Sequence, residues 1–215
     1  MFSLCLAAML STASAASASP SSPRNPVLLI HGINDDGRNM ERMARHLRAG
    51  GWSVSTMSLK PNRGQVGLDE LATQITVHAE QTFAKGAKFD LVGFSMGGLV
   101  CRYYLQRLGG MDRVERFVTI STPHRGTWMA HLLLNAACRQ MRPGSAFLRD
   151  LSPDAAGMLK GVRFTSIWTP LDLTIIPARS SEIPGARNVR LWVALHPLMV
   201  LEPRCLRAVT HALEA

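Results

Sequence analysis

The chain has 215 residues, 47% hydrophobic and 18% charged, which suits one domain with a sizeable core and excludes global disorder. Lys and Arg number 24 against 15 Asp and Glu, a formal +9 that favours contact with anionic surfaces such as membranes or envelope polymers. The basic residues are scattered, with no run or basic-aromatic motif, so no nucleic-acid partner is expected, and no apolar run reaches the roughly 18–20 residues that span a bilayer.

The chain opens with a segment unlike the rest. Phe2 to Leu10 is apolar, two A-x-A patterns follow at Ala13-Ser14-Ala15 and Ala16-Ser17-Ala18, and the first charged side chain is Arg24. Residues 1–18 read as a secretory signal, which places the mature protein outside the cell or in the periplasm. The positively charged start of such a signal is missing, and the rival reading is an Ala/Ser tail on a cytosolic protein. Residues 19–25 read as a linker.

Short apolar runs then alternate with helical patterns. Val27 to Ile30 is an expected buried strand ending at His31-Gly32. Met40, Met43, Ala44 and Leu47 recur at helical spacing, Ser53 to Leu59 suits a strand, and Leu68, Leu71, Ile75 and Ala79 make a second helical face. Phe89 to Phe94 is a strand running into a glycine turn, Leu99 to Leu108 a helix, and Val114 to Ile120 a further strand. The alternation implies parallel strands with right-handed crossovers. After Ser121 the rhythm breaks. Residues 127–160 carry an expected helix over Trp128 to Met141, a Pro-Gly break and a short helix around Ala146 to Leu151. Strands resume at Val162 to Trp168 and Val189 to Leu195, and a last helix is expected near Leu198 to Leu213, interrupted early by Pro203. An insertion between two strands is the usual place for a lid. Trp128, Leu132, Leu133, Leu134 and Met141 would cover an acyl pocket or touch a lipid interface, or would simply pack onto the sheet.

Cys101 falls on an apolar helix and reads as a buried thiol. Cys138 and Cys205 are left as candidates for one disulfide in an oxidising compartment.

The central signal is Gly93-Phe94-Ser95-Met96-Gly97. A bare G-x-S-x-G is weak, but this one follows an expected strand and opens an expected helix, as a nucleophile elbow requires. A serine needs a base, an orienting acid and donors for the oxyanion. Among downstream carboxylates only Asp172 directly follows an expected strand end, and His196 alone among downstream histidines lies both beyond Asp172 and at a strand end. Backbone N–H groups of Met96, after the nucleophile, and of Ile33, in the loop opened by Gly32, are the expected oxyanion donors.

These residues resemble the α/β-hydrolase fold, and specifically bacterial lipases and esterases. Ser121-Thr122-Pro123-His124-Arg125-Gly126-Thr127 resembles the segment after the sixth strand of many bacterial triacylglycerol lipases. Gly185-Ala186-Arg187-Asn188-Val189 resembles the approach to the catalytic histidine in small lipases secreted by bacilli. The resemblance covers roughly residues 26–213. It implies a minimal hydrolase domain over residues 26–215 with about six mostly parallel strands, Ser95 as nucleophile, Asp172 as acid, His196 as base, Ile33 and Met96 as oxyanion donors, and neither metal nor organic cofactor. Phe94 stands where many lipases carry histidine, and His124 and Arg125 receive no catalytic role. The expected activity is hydrolysis of lipid or medium-chain esters. A small-ester carboxylesterase, an acyltransferase with the same site, and a non-catalytic lipid-binding module are the rivals.

Overall fold

In the computed structural model, described for residues 24–215, six parallel strands form one sheet in the order β2-β1-β3-β4-β5-β6. The expected signal and all but the last two residues of the linker lie outside the described residues. The strands are β1 (Val27–Ile30), β2 (Val54–Met57), β3 (Phe89–Phe94), β4 (Val114–Ile120), β5 (Arg163–Trp168) and β6 (Arg187–Arg190). The helices are α1 (Glu41–Ala49), α2 (Leu68–Thr82), α3 (Met96–Arg107), α4 (Ala136–Met141), α5 (Ala146–Leu151), α6 (Ala155–Gly161) and α7 (Pro203–Glu214). This is the minimal α/β-hydrolase architecture.

Side chains alternate across the strands and divide the core in two. Leu28, Ile30 and Leu91 pack with Leu71 and Ile75 of α2 and Leu99 of α3. Val27, Leu29 and Val92 pack on the other face with Met43 and Leu47 of α1 and Val209 of α7. β3 is buried at all six positions, as a strand with helices on both faces must be. Burying each large apolar side chain contributes about 1.5–3 kcal/mol, so the sheet centre is where the fold has most to lose.

β1 hydrogen-bonds β2 on one side and β3 on the other, so the strand order reverses there. The loops after β1 and β3 leave in opposite directions and open a crevice at the carboxyl edge, where open α/β sheets bind ligands.

Several elements differ from the sequence reading. The expected strand over Val189 to Leu195 is shifted, since β6 pairs with β5 only from Arg187 to Arg190. The chain then turns off the sheet and is held by Thr169, whose hydroxyl donates to the Val193 carbonyl at 2.8 Å. His196 therefore follows a loop and begins a short 3-10 turn, His196–Val200, rather than ending a strand. Pro203 does not interrupt a helix but starts α7, because proline lacks the N–H that a helix interior needs and fits its first turn. The single helix expected over Trp128 to Met141 is a 3-10 turn, Trp128–His131, followed by α4, which Asn135 caps by accepting from the Cys138 N–H at 2.8 Å. α6 is an addition to the sequence reading.

Cys101, Cys138 and Cys205 are all buried free thiols. Cys138 belongs to the core on the α2/α3 face and Cys205 to the core on the α1/α7 face, so the sheet separates the two cysteines considered as a pair.

Candidate active site

The turn after β3 holds Ser95 at φ 53°, ψ −122°, a left-handed conformation that costs a non-glycine residue free energy unless its surroundings impose it. The surroundings here do. The Ser95 N–H donates to the Ile120 carbonyl at 2.8 Å, and α3 begins at the next residue. A β-carbon at Gly93 would sit 2.6 Å from the Gly98 α-carbon, one at Gly97 would strike the His31 carbonyl oxygen, and one at Gly98 would strike the Thr122 side chain. Glycine at 93 lets β3 and α3 meet at so sharp an angle, and glycine at 97 and 98 lets the start of α3 pack against the segments that follow β1 and β4. Met96 is the first residue of α3, and the first N–H groups of a helix have no acceptor within it.

The loop after β1 packs directly on this turn. A β-carbon at Gly32 would lie 3.2 Å from the Ser95 β-carbon, so only glycine brings the backbone this close without displacement. His31 is fully buried and fixes the peptide that follows. Its Nε2 accepts from the Leu59 N–H at 2.9 Å, which leaves the proton on Nδ1, and Nδ1 donates to the Gly32 carbonyl at 2.7 Å. In a trans peptide the C=O and the following N–H point opposite ways, so this bond turns the Ile33 N–H away from His31. The sequence reading gives His31 no role of its own; its only signal was a histidine directly after a buried strand.

Asp172 and His196 meet at the same edge. The His196 Nδ1 lies 2.7 Å from Asp172 Oδ2. The other carboxylate oxygen accepts from the Thr174 and Ile175 N–H groups, each at 2.9 Å. Burial pushes the Asp172 carboxyl up, but the hydrogen bond and charge of His196 and the two backbone donors outweigh it, so its pKa lies below the usual carboxylate value. An ionised Asp172 has only acceptor oxygens, so His196 Nδ1 carries a proton, and in the neutral imidazole Nε2 then keeps the lone pair. Phe94 packs against the imidazole with ring centroids 4.9 Å apart, a contact the sequence reading missed.

Two cavities open from Ser95. One, of about 380 Å³, is lined by Ile33, Met129, Ala130, Leu132, Leu133 and Met141 among others and is almost wholly apolar. The other, of about 300 Å³, runs past Phe94, His196 and Leu201 and has Asp35 and Asn39 in its wall. The insertion thus divides its residues between the two roles considered for it. Ala137, Cys138, Phe147, Leu148 and Leu151 are core. Trp128, Leu132, Leu133 and Leu134 are at least half exposed, and Leu132 and Leu133 also form the mouth of the apolar cavity.

Thr127 joins the insertion to the Asp172 loop. Its hydroxyl donates to the Thr174 carbonyl at 2.8 Å and accepts from the Ile176 N–H at 2.9 Å. Arg102 braces the underside. Its guanidinium is buried and donates to the carbonyls of His124 and Leu151 at 3.1 and 2.9 Å. Burial, with Arg107 nearby, brings its pKa down to about 10, so it stays charged at neutral pH. His124 is buried against Thr119 at 2.9 Å. Among the described residues no group of three or more His, Cys, Asp or Glu side chains is placed to hold a metal ion.

The Ser95, Asp172, His196, Ile33 and Met96 of the sequence reading are thus all at the carboxyl edge, grouped around the switch point. Residues 26–170 match the sequence model of the palmitoyl protein thioesterase family. The chain belongs to the palmitoyl protein thioesterase family. The family match spans β1 to β5 and includes the elbow, while Asp172 lies just beyond it and His196 further on, after β6. Solved structures share the fold. The mature form of Bacillus licheniformis lipase BlEst2 is similar at TM-score 0.74 and 17% identity, over 91% of this chain and 94% of that one. Aspergillus fumigatus lipase B is similar at TM-score 0.75 and 17% identity, over 89% of this chain and 53% of that one. A pyrethroid hydrolase from Sphingobium faniae gives TM-score 0.63 at 17% identity, over 89% and 98%. This member of the thioesterase family has an α/β-hydrolase fold and is an ester hydrolase.

Proposed function

We propose that the chain hydrolyses esters of apolar acyl chains, oxygen esters or thioesters, through a covalent acyl-enzyme on Ser95. His196 Nε2 takes the Ser95 proton as the hydroxyl oxygen attacks the acyl carbonyl. Asp172 holds the imidazole by Nδ1 and stabilises the imidazolium. The Ile33 and Met96 N–H groups receive the oxyanion, and a lost donor of this kind typically costs about 2.7–4 kcal/mol of transition-state stabilisation. The imidazolium returns its proton to the leaving group, and His196 then activates water to release the acid. The observation that carries the reading is the Asp172–His196 pair at 2.7 Å, with His196 lining one cavity together with a serine in a left-handed turn.

The apolar cavity formed by the insertion supports a medium or long acyl chain over acetyl. The exposed leucines at its mouth support peripheral contact with a lipid surface, aided by the net positive charge. No helix among the described residues is long and apolar enough to cross a membrane. Export follows from residues 1–18 if they are removed as a signal.

The test is hydrolysis of p-nitrophenyl esters from acetyl to palmitoyl by wild type and Ser95→Ala, with fluorophosphonate labelling alongside. Activity rising at medium or long chains, lost in the variant together with labelling, is expected. Equal activity in the two proteins overturns the nucleophile assignment, and activity confined to acetyl and butyryl makes the protein a small-ester carboxylesterase. A competing alcohol added to the assay separates hydrolysis from acyl transfer by its products.

A further inference from the structure

The two cavities at Ser95 differ in chemistry as well as shape. If the acyl chain occupies the apolar one, the leaving group is left with the other, beside the His196 that must protonate it. That second cavity has a carboxylate in its wall. Asp35 is half-buried, and its side chain accepts from the Asn39 amide. Its neighbour Asp36 is already paired with Arg38 at 2.7 Å, whereas no salt bridge reaches Asp35 among the described residues. Burial raises the Asp35 pKa and the neighbouring Asp36 carboxylate adds to the rise, while the nearby His31 and His196 imidazoles and the Asn39 hydrogen bond oppose it. A carboxylate that is partly stripped of water, makes no salt bridge and lines an open cavity is stabilised by a cation that enters.

We infer that Asp35 makes this cavity a cation-selecting site for the leaving group, so that the favoured substrates are esters whose alcohol portion carries an ammonium group. The inference rests on the ester-hydrolase reading above and adds the leaving-group class to it. The chain as a whole is positive, but that charge is spread over the surface, and at physiological salt exposed charges beyond about 8 Å are largely screened. A carboxylate in the wall of the cavity outweighs them.

The experiment compares two esters of one acid, using the acyl chain that the p-nitrophenyl series prefers. One is the choline ester and the other the 3,3-dimethylbutyl ester, which has the same shape without the charge. Wild type is expected to favour the choline ester in kcat/KM by about fivefold or more, the Coulomb advantage at contact distance even with the dielectric of water. The preference should shrink in 0.5 M salt and fall close to one in Asp35→Asn, with intact sites counted by fluorophosphonate titration of Ser95. A wild-type ratio at or below one overturns the inference without any variant. A preference that Asp35→Asn leaves unchanged overturns it too, and in both cases the ester-hydrolase reading stands. Failure to turn over either ester, with Ser95 unlabelled, overturns that reading and the inference with it.

Discussion

The buried imidazole of His31 offers a sharp test of how the oxyanion loop is held. It makes two hydrogen bonds that different substitutions can separate. Asparagine at 31 reproduces the Nδ1 donor to the Gly32 carbonyl and loses the acceptor for Leu59, whereas glutamine reaches as far as Nε2, keeps the Leu59 bond and loses the Gly32 bond. Each variant leaves one buried backbone group unpaired, which costs about 1–3 kcal/mol of stability, so their melting temperatures should fall alike. Their kinetics should not. The Gly32 bond has a net worth of about 0.5–1.5 kcal/mol, which bounds how firmly it holds the Ile33 N–H in place. Its loss in His31→Gln should lower kcat roughly two- to tenfold with KM little changed, while His31→Asn stays close to wild type. The ceiling is the roughly 10²–10³-fold effect of deleting an oxyanion donor outright. Steady-state kinetics on a p-nitrophenyl ester and thermal unfolding of the same samples decide it. Equal kcat in the two variants at equal stability would refute the reasoning, since His31 would then be a core residue and nothing more.

Three further outcomes are expected. Asp172→Asn should lower kcat by about 10³–10⁴-fold, because an asparagine amide can hold the wrong imidazole tautomer; a loss of under tenfold would remove Asp172 from the mechanism. Leu132→Ala with Leu133→Ala should cut kcat/KM for long acyl esters severalfold while sparing acetyl, since both line the apolar cavity, and an equal loss on both chain lengths would mean a purely structural effect. Asp90, buried with Asn25 and Arg116 as partners, has a pKa raised to about 6 by burial, against 3.8 as the ordinary value. Its folded state holds a proton that the unfolded state releases earlier, so this group's contribution to stability falls as pH rises from about 4 to 6 and is level above. Asp90→Asn should flatten that part of the Tm–pH profile, and two parallel profiles would contradict the assignment.

Much of this molecule was legible because strands buried on both faces leave strong sequence signals. Phe89–Phe94 and Val114–Ile120 have the bounds that their apolar runs predict. The elements that slipped are those where local pattern and tertiary context disagree. The run from Val189 to Leu195 is apolar enough for a strand, but β6 is an edge strand and gains nothing by continuing once β5 ends at Trp168. Pro203 looked like an interruption because the apolar residues before it share helical spacing with those after it. Around Ser95 the glycines announced the turn, since a β-carbon would strike backbone at 93 and 97 and the Thr122 side chain at 98. Asp172 and His196 stood out by chain order. His31, Asp35 and Phe94 did not, because what they touch lies on other elements, and contact across elements has no local pattern.

The strand order has a consequence for how activity appears during folding. Ile30 and Gly93 are register partners, so the Ile33 and Ser95 loops become neighbours only when β1 docks beside β3, after the intervening excursion through β2 and α2 is complete. Such long-range parallel pairings form slowly, because chain closure comes before the contacts that reward it. A partly folded chain with its helices formed but its central strands apart would have every site residue and no site. Recovery of esterase activity after dilution from denaturant would therefore report the joining of β1 to β3, later than the recovery of helical signal.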